Sequence, residues 1–162
     1  MCKNSETWVF TLPADFSWES GLASPEDFGF RDKSGTLRLI VRKSGTVTVP
    51  ASYAWDGCSP KVCIFDIVLG TPDGVVDSGT KRPKTYYASL VHDAMYQFLL
   101  DDLPFKRSQV DGCFRRLMAE TGFEPRGIYW FAVRLLGWLF VGVHRFKRKN
   151  HGYAEVLRPV PQ

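Results

Sequence analysis

Residues 92–96 read His-Asp-Ala-Met-Tyr, an imidazole, a carboxylate and a phenol within about one and a half helical turns. The flanking run Tyr86-Tyr87-Ala88-Ser89-Leu90-Val91 and Gln97-Phe98-Leu99-Leu100 lacks Gly and Pro and carries apolar residues at Tyr87, Val91, Met95 and Phe98, the spacing of a helix. His92 and Tyr96, four apart, then share a face. Asp93 sits about 100° around the helix from His92 and can serve a different partner.

An imidazole becomes a useful general base when a buried carboxylate fixes its tautomer and stabilises the imidazolium that forms. Asp111 is the candidate. The runs around His92 and Asp111 are joined by a short connection and are expected to pack antiparallel, bringing that carboxylate toward the imidazole. Tyr96 would support the pair by hydrogen bonding to Asp111. Asp93, together with Asp56 from an upstream loop, would be free to join carbonyls around a hard, oxygen-preferring cation such as calcium, which could polarise an ester carbonyl while His92 activates water.

Each residue has a structural account as well. Asp111 stands three residues after Ser108, where capping and the helix dipole favour an acid regardless of histidine. His92 can be a satisfied core histidine, Tyr96 a packing residue, and Asp56-Gly57 simply a turn.

The elements that must position these groups follow from patterning. Trp8–Leu12, Thr36–Val41 and Thr46–Val49 read as strands, and the last two, separated by Arg42-Lys43-Ser44-Gly45, read as a hairpin. Residues 51–60 form a loop around Tyr53 and Trp55, and Gly70 to Pro83, with Pro72-Asp73-Gly74, reads as an excursion or short hairpin. From Thr85 onward the chain is mainly helical. A second helix starts near Ser108, with Val110, Phe114, Leu117 and Met118 as its apolar face. Gly122 and Pro125 break the pattern, and a third helix is expected from Arg126 to Arg145.

Residues 128–143 of that third helix are apolar apart from Arg134, which is short for a membrane span. Arg126, Arg134, Gly137, His144 and Arg145 fall within an arc of about 100°. So narrow a polar stripe predicts a helix buried on most sides, while Trp130, Trp138 and the following basic residues keep interfacial membrane attachment open.

With 162 residues, 44% of them hydrophobic, the chain suits a single domain with a real core and is not a disordered one. The net charge of +4 is carried largely by Arg145, Lys147, Arg148 and Lys149. Such a cluster suits anionic lipid or nucleic acid, although cations at a helix end also complement its dipole; nucleic acid is the disfavoured partner. Met1-Cys2-Lys3-Asn4-Ser5-Glu6 is polar, so no secretory signal is expected, and Cys2, Cys58, Cys63 and Cys113 are expected to be reduced thiols. Cys58 and Cys63, at C-x4-C spacing, have no second pair to complete a zinc site. Ser59 as a nucleophile lacks a G-x-S-x-G elbow.

Two family resemblances attach to these motifs. The His92-Asp93-x-x-Tyr96 run with a later aspartate resembles the phospholipase A2 active site, most closely its compact, signal-less viral versions. That likeness implies His92 as general base, Asp93 as calcium ligand, Tyr96 as supporting tyrosine and Asp111 as dyad partner. The chain departs from it at the calcium loop, since Trp55-Asp56-Gly57-Cys58-Ser59-Pro60 carries one Gly and lies far upstream. The ordered series Val49-Pro50-Ala51, Asp56-Gly57-Cys58-Ser59-Pro60, His92-Asp93-Ala94-Met95-Tyr96, Val110-Asp111-Gly112-Cys113-Phe114 and Ala132-Val133-Arg134 is similar to the phage and prophage family called domain of unknown function 1353. It covers residues 36–138, with 61–83 as an insertion and 145–162 as a basic C-terminal tail, and implies a phage origin more than any activity. Within that pattern Arg134 could meet a carboxylate such as Asp56.

The expected fold is α+β: an N-terminal antiparallel sheet set against a helical hairpin and a long, buried C-terminal helix. The expected function is a phage-encoded hydrolase acting on a lipid ester, with phospholipid or a membrane surface as partner, calcium as cofactor, and the host cytoplasm or the virion as its location. The alternative is a non-catalytic capsid, tail or host-interaction protein in which the same His/Asp/Tyr network is structural and phage structural proteins are the partners.

Overall fold

A computed structural model describes residues 10–58, 61–64, 67–70, 75–100, 103–135 and 152–157, the segments 61–64 and 67–70 as backbone only. It is α+β, as the sequence implies. The strands are β1 (Phe10–Thr11), β2 (Phe16–Glu19), β3 (Phe28–Asp32), β4 (Leu37–Val41), β5 (Thr46–Val49), β6 (Ala54–Trp55), β7 (Lys61–Ile64) and β8 (Ile67–Gly70). Helices α1 (Tyr86–Gln97) and α2 (Arg107–Glu120) follow. A third helix, α3, is described over 126–135, and β9 (Gly152–Val156) comes last.

The main sheet is antiparallel in the order β2-β5-β4-β3-β9. The expected hairpin is β4–β5, paired through Ile40↔Thr48 and Val41↔Val47. Leu39 and Val41 alternate with half-buried residues, as do Val47 and Val49, so one sheet face is apolar. That face holds the fully buried Phe30, Leu39, Val41, Val47 and Val49, and α1 packs onto β4 and β5 with Leu90, Val91, Ala94, Met95 and Phe98 in the same core. Transferring a side chain such as Leu90 from water into this core contributes about 2 kcal/mol.

The predicted excursion at 70–83 closes with an antiparallel bridge between Val76 and Pro83, and β7 pairs with β8 within the segment expected to be an insertion. Residues 152–156, expected as part of a basic tail, instead add β9 to the sheet edge at β3. Arg31 Nε donates to Glu155 Oε1 across that pair at 2.8 Å. Gly152 is required there, because a Cβ would overlap the Arg31 carbonyl.

The start of α2 differs from expectation. Its N-cap is Lys106, whose N–H donates to Gln109 Oε1 at 2.8 Å, and Ser108 lies inside the helix. Asp111 is therefore the fifth helical residue, beyond the first-turn positions where capping would favour an acid. Helix α3 also differs. Over its described length it buries Tyr129 and Val133, while Ile128, Phe131 and Leu135 are 73%, 62% and 60% exposed, so burial there is on one side rather than most. The rest of the expected helix, 136–145, and the cluster at Arg145–Lys149 lie outside the described residues, as do Trp8, Val9 and Ser59. Among the described residues no helix is long and apolar enough to cross a membrane.

Candidate functional site

Helices α1 and α2 meet at His92 and Asp111. The His92 ring lies 4.1 Å from the Tyr96 ring and 4.9 Å from that of Phe114, so it is clasped between its own helix and α2. Tyr96, one turn further along α1, meets Asp111, one turn earlier on α2 than Phe114. Partners that run in opposite senses are what the expected antiparallel pair predicts.

Asp111 is the hub. Its carboxylate is fully buried, at 0% exposure. Tyr96 donates its hydroxyl to Oδ1 at 2.6 Å, and His92 Nε2 stands 3.3 Å from the same oxygen. On the other oxygen, Oδ2, Arg134 Nη1 donates at 3.5 Å and Arg107 Nε lies at 3.9 Å. Arg134, expected to meet a carboxylate such as Asp56, lies on Asp111 instead, and Arg107, which the spacing analysis does not single out, joins it there. An i,i+4 relation to Asp111 was the available signal for Arg107, whereas Arg134 depends on where α3 docks.

Burial alone would raise the Asp111 carboxyl, but the hydrogen bonds from His92 and Tyr96 and the charges of His92 and Arg107 outweigh it and hold the pKa below its ordinary value. His92 shows the mirror case. Burial pulls the imidazole down, the close contact with Asp111 and the charges of Asp93 and Asp111 pull it up, and the net direction is up. Burial and Asp111 hold the Tyr96 phenol well above its usual range, so it stays a donor.

His92 is 7% exposed. With Nε2 directed at Asp111, the second nitrogen, Nδ1, faces Asp93 Oδ1 at 3.8 Å, beyond hydrogen-bond distance. The two adjacent side chains thus do not serve wholly separate partners, as the helix wheel implies, but approach each other across Nδ1. Asp93 is raised by its burial and further by the charge of Asp56, against the opposing pull of His92.

Asp56 is therefore close enough to act on Asp93, and it also acts on Tyr53, whose hydroxyl donates to Gln97 Oε1 at 3.1 Å. Gly57 takes φ 79°, the left-handed conformation an Asp-Gly turn demands, so the turn account of this pair and its electrostatic role coexist. Among the described residues no group of three or more His, Cys, Asp or Glu side chains is arranged to hold a metal ion. A cation here would rest on Asp93, Asp56 and backbone or hydroxyl oxygens.

The cysteines contribute no nucleophile on the described surface. Cys58 and Cys113 are buried thiols outside any disulfide, and burial pushes the Cys113 thiol up to about 11, which keeps it from ionising near neutrality.

Of the five predicted site residues, His92, Tyr96 and Asp111 are in direct contact, Asp93 stands beside the second imidazole nitrogen, and Asp56 reaches Asp93 through its charge. Compared with protein-family models, with curated proteins and with solved structures, the chain matches none.

Proposed function

We propose that this chain is a hydrolase in which His92 is the general base and Asp111 its orienting carboxylate, acting on an ester and most directly a lipid ester. The observation that carries this reading is the fully buried Asp111 Oδ1, which takes the Tyr96 hydroxyl and faces His92 Nε2 together. That arrangement favours the proton on Nε2 and leaves the Nδ1 lone pair as the base.

Nδ1 would take a proton from water as the water oxygen bonds to the ester carbonyl carbon, and Asp111 would stabilise the imidazolium. On collapse the carbon–oxygen bond to the alcohol breaks, and the imidazolium proton passes to the departing alkoxide. Asp93 and Asp56, two mutually repelling carboxylates, are the residues that would hold a divalent cation, which when bound supplies polarisation of the carbonyl. The exposed apolar residues Ile128, Phe131 and Leu135 support a lipid substrate, as does the likeness to phospholipase A2. The motif order similar to domain of unknown function 1353 supports a phage origin, with action in the host cytoplasm or from the virion.

A second reading has its own observation. Both His92 nitrogens face carboxylates and the ring is nearly enclosed, as in a network that merely fixes a helix pair. The protein would then be a virion or host-interaction component.

Release of fatty acid from mixed phospholipid vesicles, with calcium and with chelator, separates the two. Calcium-dependent release that His92→Ala abolishes supports the hydrolase. No release from any vesicle composition, with His92→Ala folded but less stable, leaves the network as structure.

A further inference from the structure

The Asp111 carboxylate is gripped from three helices. Tyr96 and His92 of α1 occupy Oδ1, while Arg107 of α2 and Arg134 of α3 face Oδ2. Arg107 also ties α2 to α3, since its Nη2 donates to the Arg134 backbone carbonyl at 3.3 Å. Trp130, one turn before Arg134 on α3, lies beneath both Arg134 and Arg115, at 5.8 Å and 5.3 Å from their guanidinium carbons to the ring centroid. Arg134 thus reaches a buried carboxylate while its flank rests on an aromatic face.

We propose that Arg134 is a positioning residue of the His92–Asp111 pair: from α3 it neutralises and orients the second oxygen of Asp111, with Arg107 as its companion, so that Oδ1 stays an acceptor for His92 Nε2. This rests on the reading of His92 as a base through Nδ1. A buried carboxylate whose charge is uncompensated takes up a proton or swings toward another donor. A protonated Asp111 would donate to Nε2, forcing the imidazole proton onto Nδ1, the nitrogen that has to remain open. The guanidinium therefore selects the tautomer, and it does so only when α3 is docked. Among the described residues, His92, Tyr96, Arg107 and Arg134 are the charged or titratable groups that face Asp111 from the elements packed on it.

The test is a cycle of Arg134→Gln, Arg134→Lys, Asp111→Asn and Arg134→Gln with Asp111→Asn, read by thermal unfolding and by the His92 ring-nitrogen chemical shifts at one pH where the ring is neutral. In the wild type the shifts report the Nε2–H tautomer. Arg134→Gln is expected to lower Tm by about 5 °C and move the ring toward Nδ1–H, Arg134→Lys to restore much of both, and the Tm loss to vanish in the Asp111→Asn background. Should Arg134→Gln fail to fold, Arg107→Gln carries the same two measurements. Equal Tm loss in both backgrounds with an unchanged tautomer overturns the proposal and makes Arg134 a packing residue on Trp130. Coupling and a tautomer shift in a protein that releases no fatty acid overturn the positioning of a base, and the hydrolase reading with it. Hydrolysis abolished by His92→Ala but untouched by Arg134→Gln discards the positioning role alone.

Discussion

Two aspartates in this molecule are held by several donors each, and they differ in where those donors come from. Asp32, at the end of β3, accepts from the Ser34 N–H at 2.9 Å, the Thr36 N–H at 3.1 Å and Arg38 Nε at 2.7 Å. All of its partners lie within six residues. Asp111 takes its partners from residues 15, 19 and 23 positions away, in addition to Arg107 on its own helix. Both carboxyls lie below their ordinary pKa, Asp32 chiefly through Ser34 and Arg38, Asp111 through His92 and Tyr96 against the cost of burial. Hydrogen bonding alone, then, does not distinguish a turn from a site. What distinguishes them is that the Asp32 bonds form as soon as a short segment turns, while those of Asp111 exist only when three helices are packed and water is excluded.

The largest effect that sharpens this contrast is expected from Asp111→Ala. It strips a buried hub and leaves His92, Tyr96 and two guanidinium groups without their acceptor, so the loss is expected to be about 3–5 kcal/mol by urea unfolding. A loss below about 1 kcal/mol would mean that the helices repack without the network.

Tyr96→Phe removes a single donor from Oδ1 and is expected to cost about 1–2 kcal/mol in the same measurement. The His92–Asp111 contact survives the change, so a double-mutant cycle in the Tyr96→Phe background should still show coupling between those two residues.

His92 supplies a pH-dependent comparison. Its folded pKa is raised above the ordinary value of 6.5, so its contribution is fully present below that value and is lost as pH rises through the folded pKa. The stability difference between wild type and His92→Gln is expected to shrink as pH rises above 6.5 and through that folded pKa. Asp111 and Asp32, both lowered from 3.8, contribute above that value and lose their contribution as pH falls through their folded pKa values. A His92→Gln difference that stays flat with pH would contradict the pairing.

Asp32→Ala is expected to have the smallest effect, a Tm change of about 1–2 °C, because water can replace its partners at an open turn. It should leave the His92 ring-nitrogen shifts unchanged. A shift there would mean that the turn and the helix cluster are coupled through the sheet.

The parts legible in the sequence were those whose signals are local and periodic. Apolar alternation in Thr36–Val41 and Thr46–Val49 marks β4 and β5, and the breaker-free run with Tyr87, Val91, Met95 and Phe98 marks α1. The same logic could have found β2, where Phe16 and Trp18 alternate with Ser17 and Glu19. It could not have found β9, a short strand in a polar tail that pairs with β3 across more than a hundred residues. Ser108 is a good capping type and points to a later start for α2, whereas the backbone turns into the helix earlier, at Lys106, and uses Gln109 instead.

His92, Tyr96 and Asp111 were placed together by spacing on two adjacent helices, and that much the sequence determined by itself: helical period puts His92 and Tyr96 on one face, and a short connection brings the next helix back against them. Tertiary structure alone decided the rest. It brought α3 onto the pair so that Arg134 reaches Asp111, buried the carboxylate completely, and turned Nδ1 of His92 toward Asp93. Those outcomes depend on packing angles and on the exclusion of water, which no local run of residues encodes.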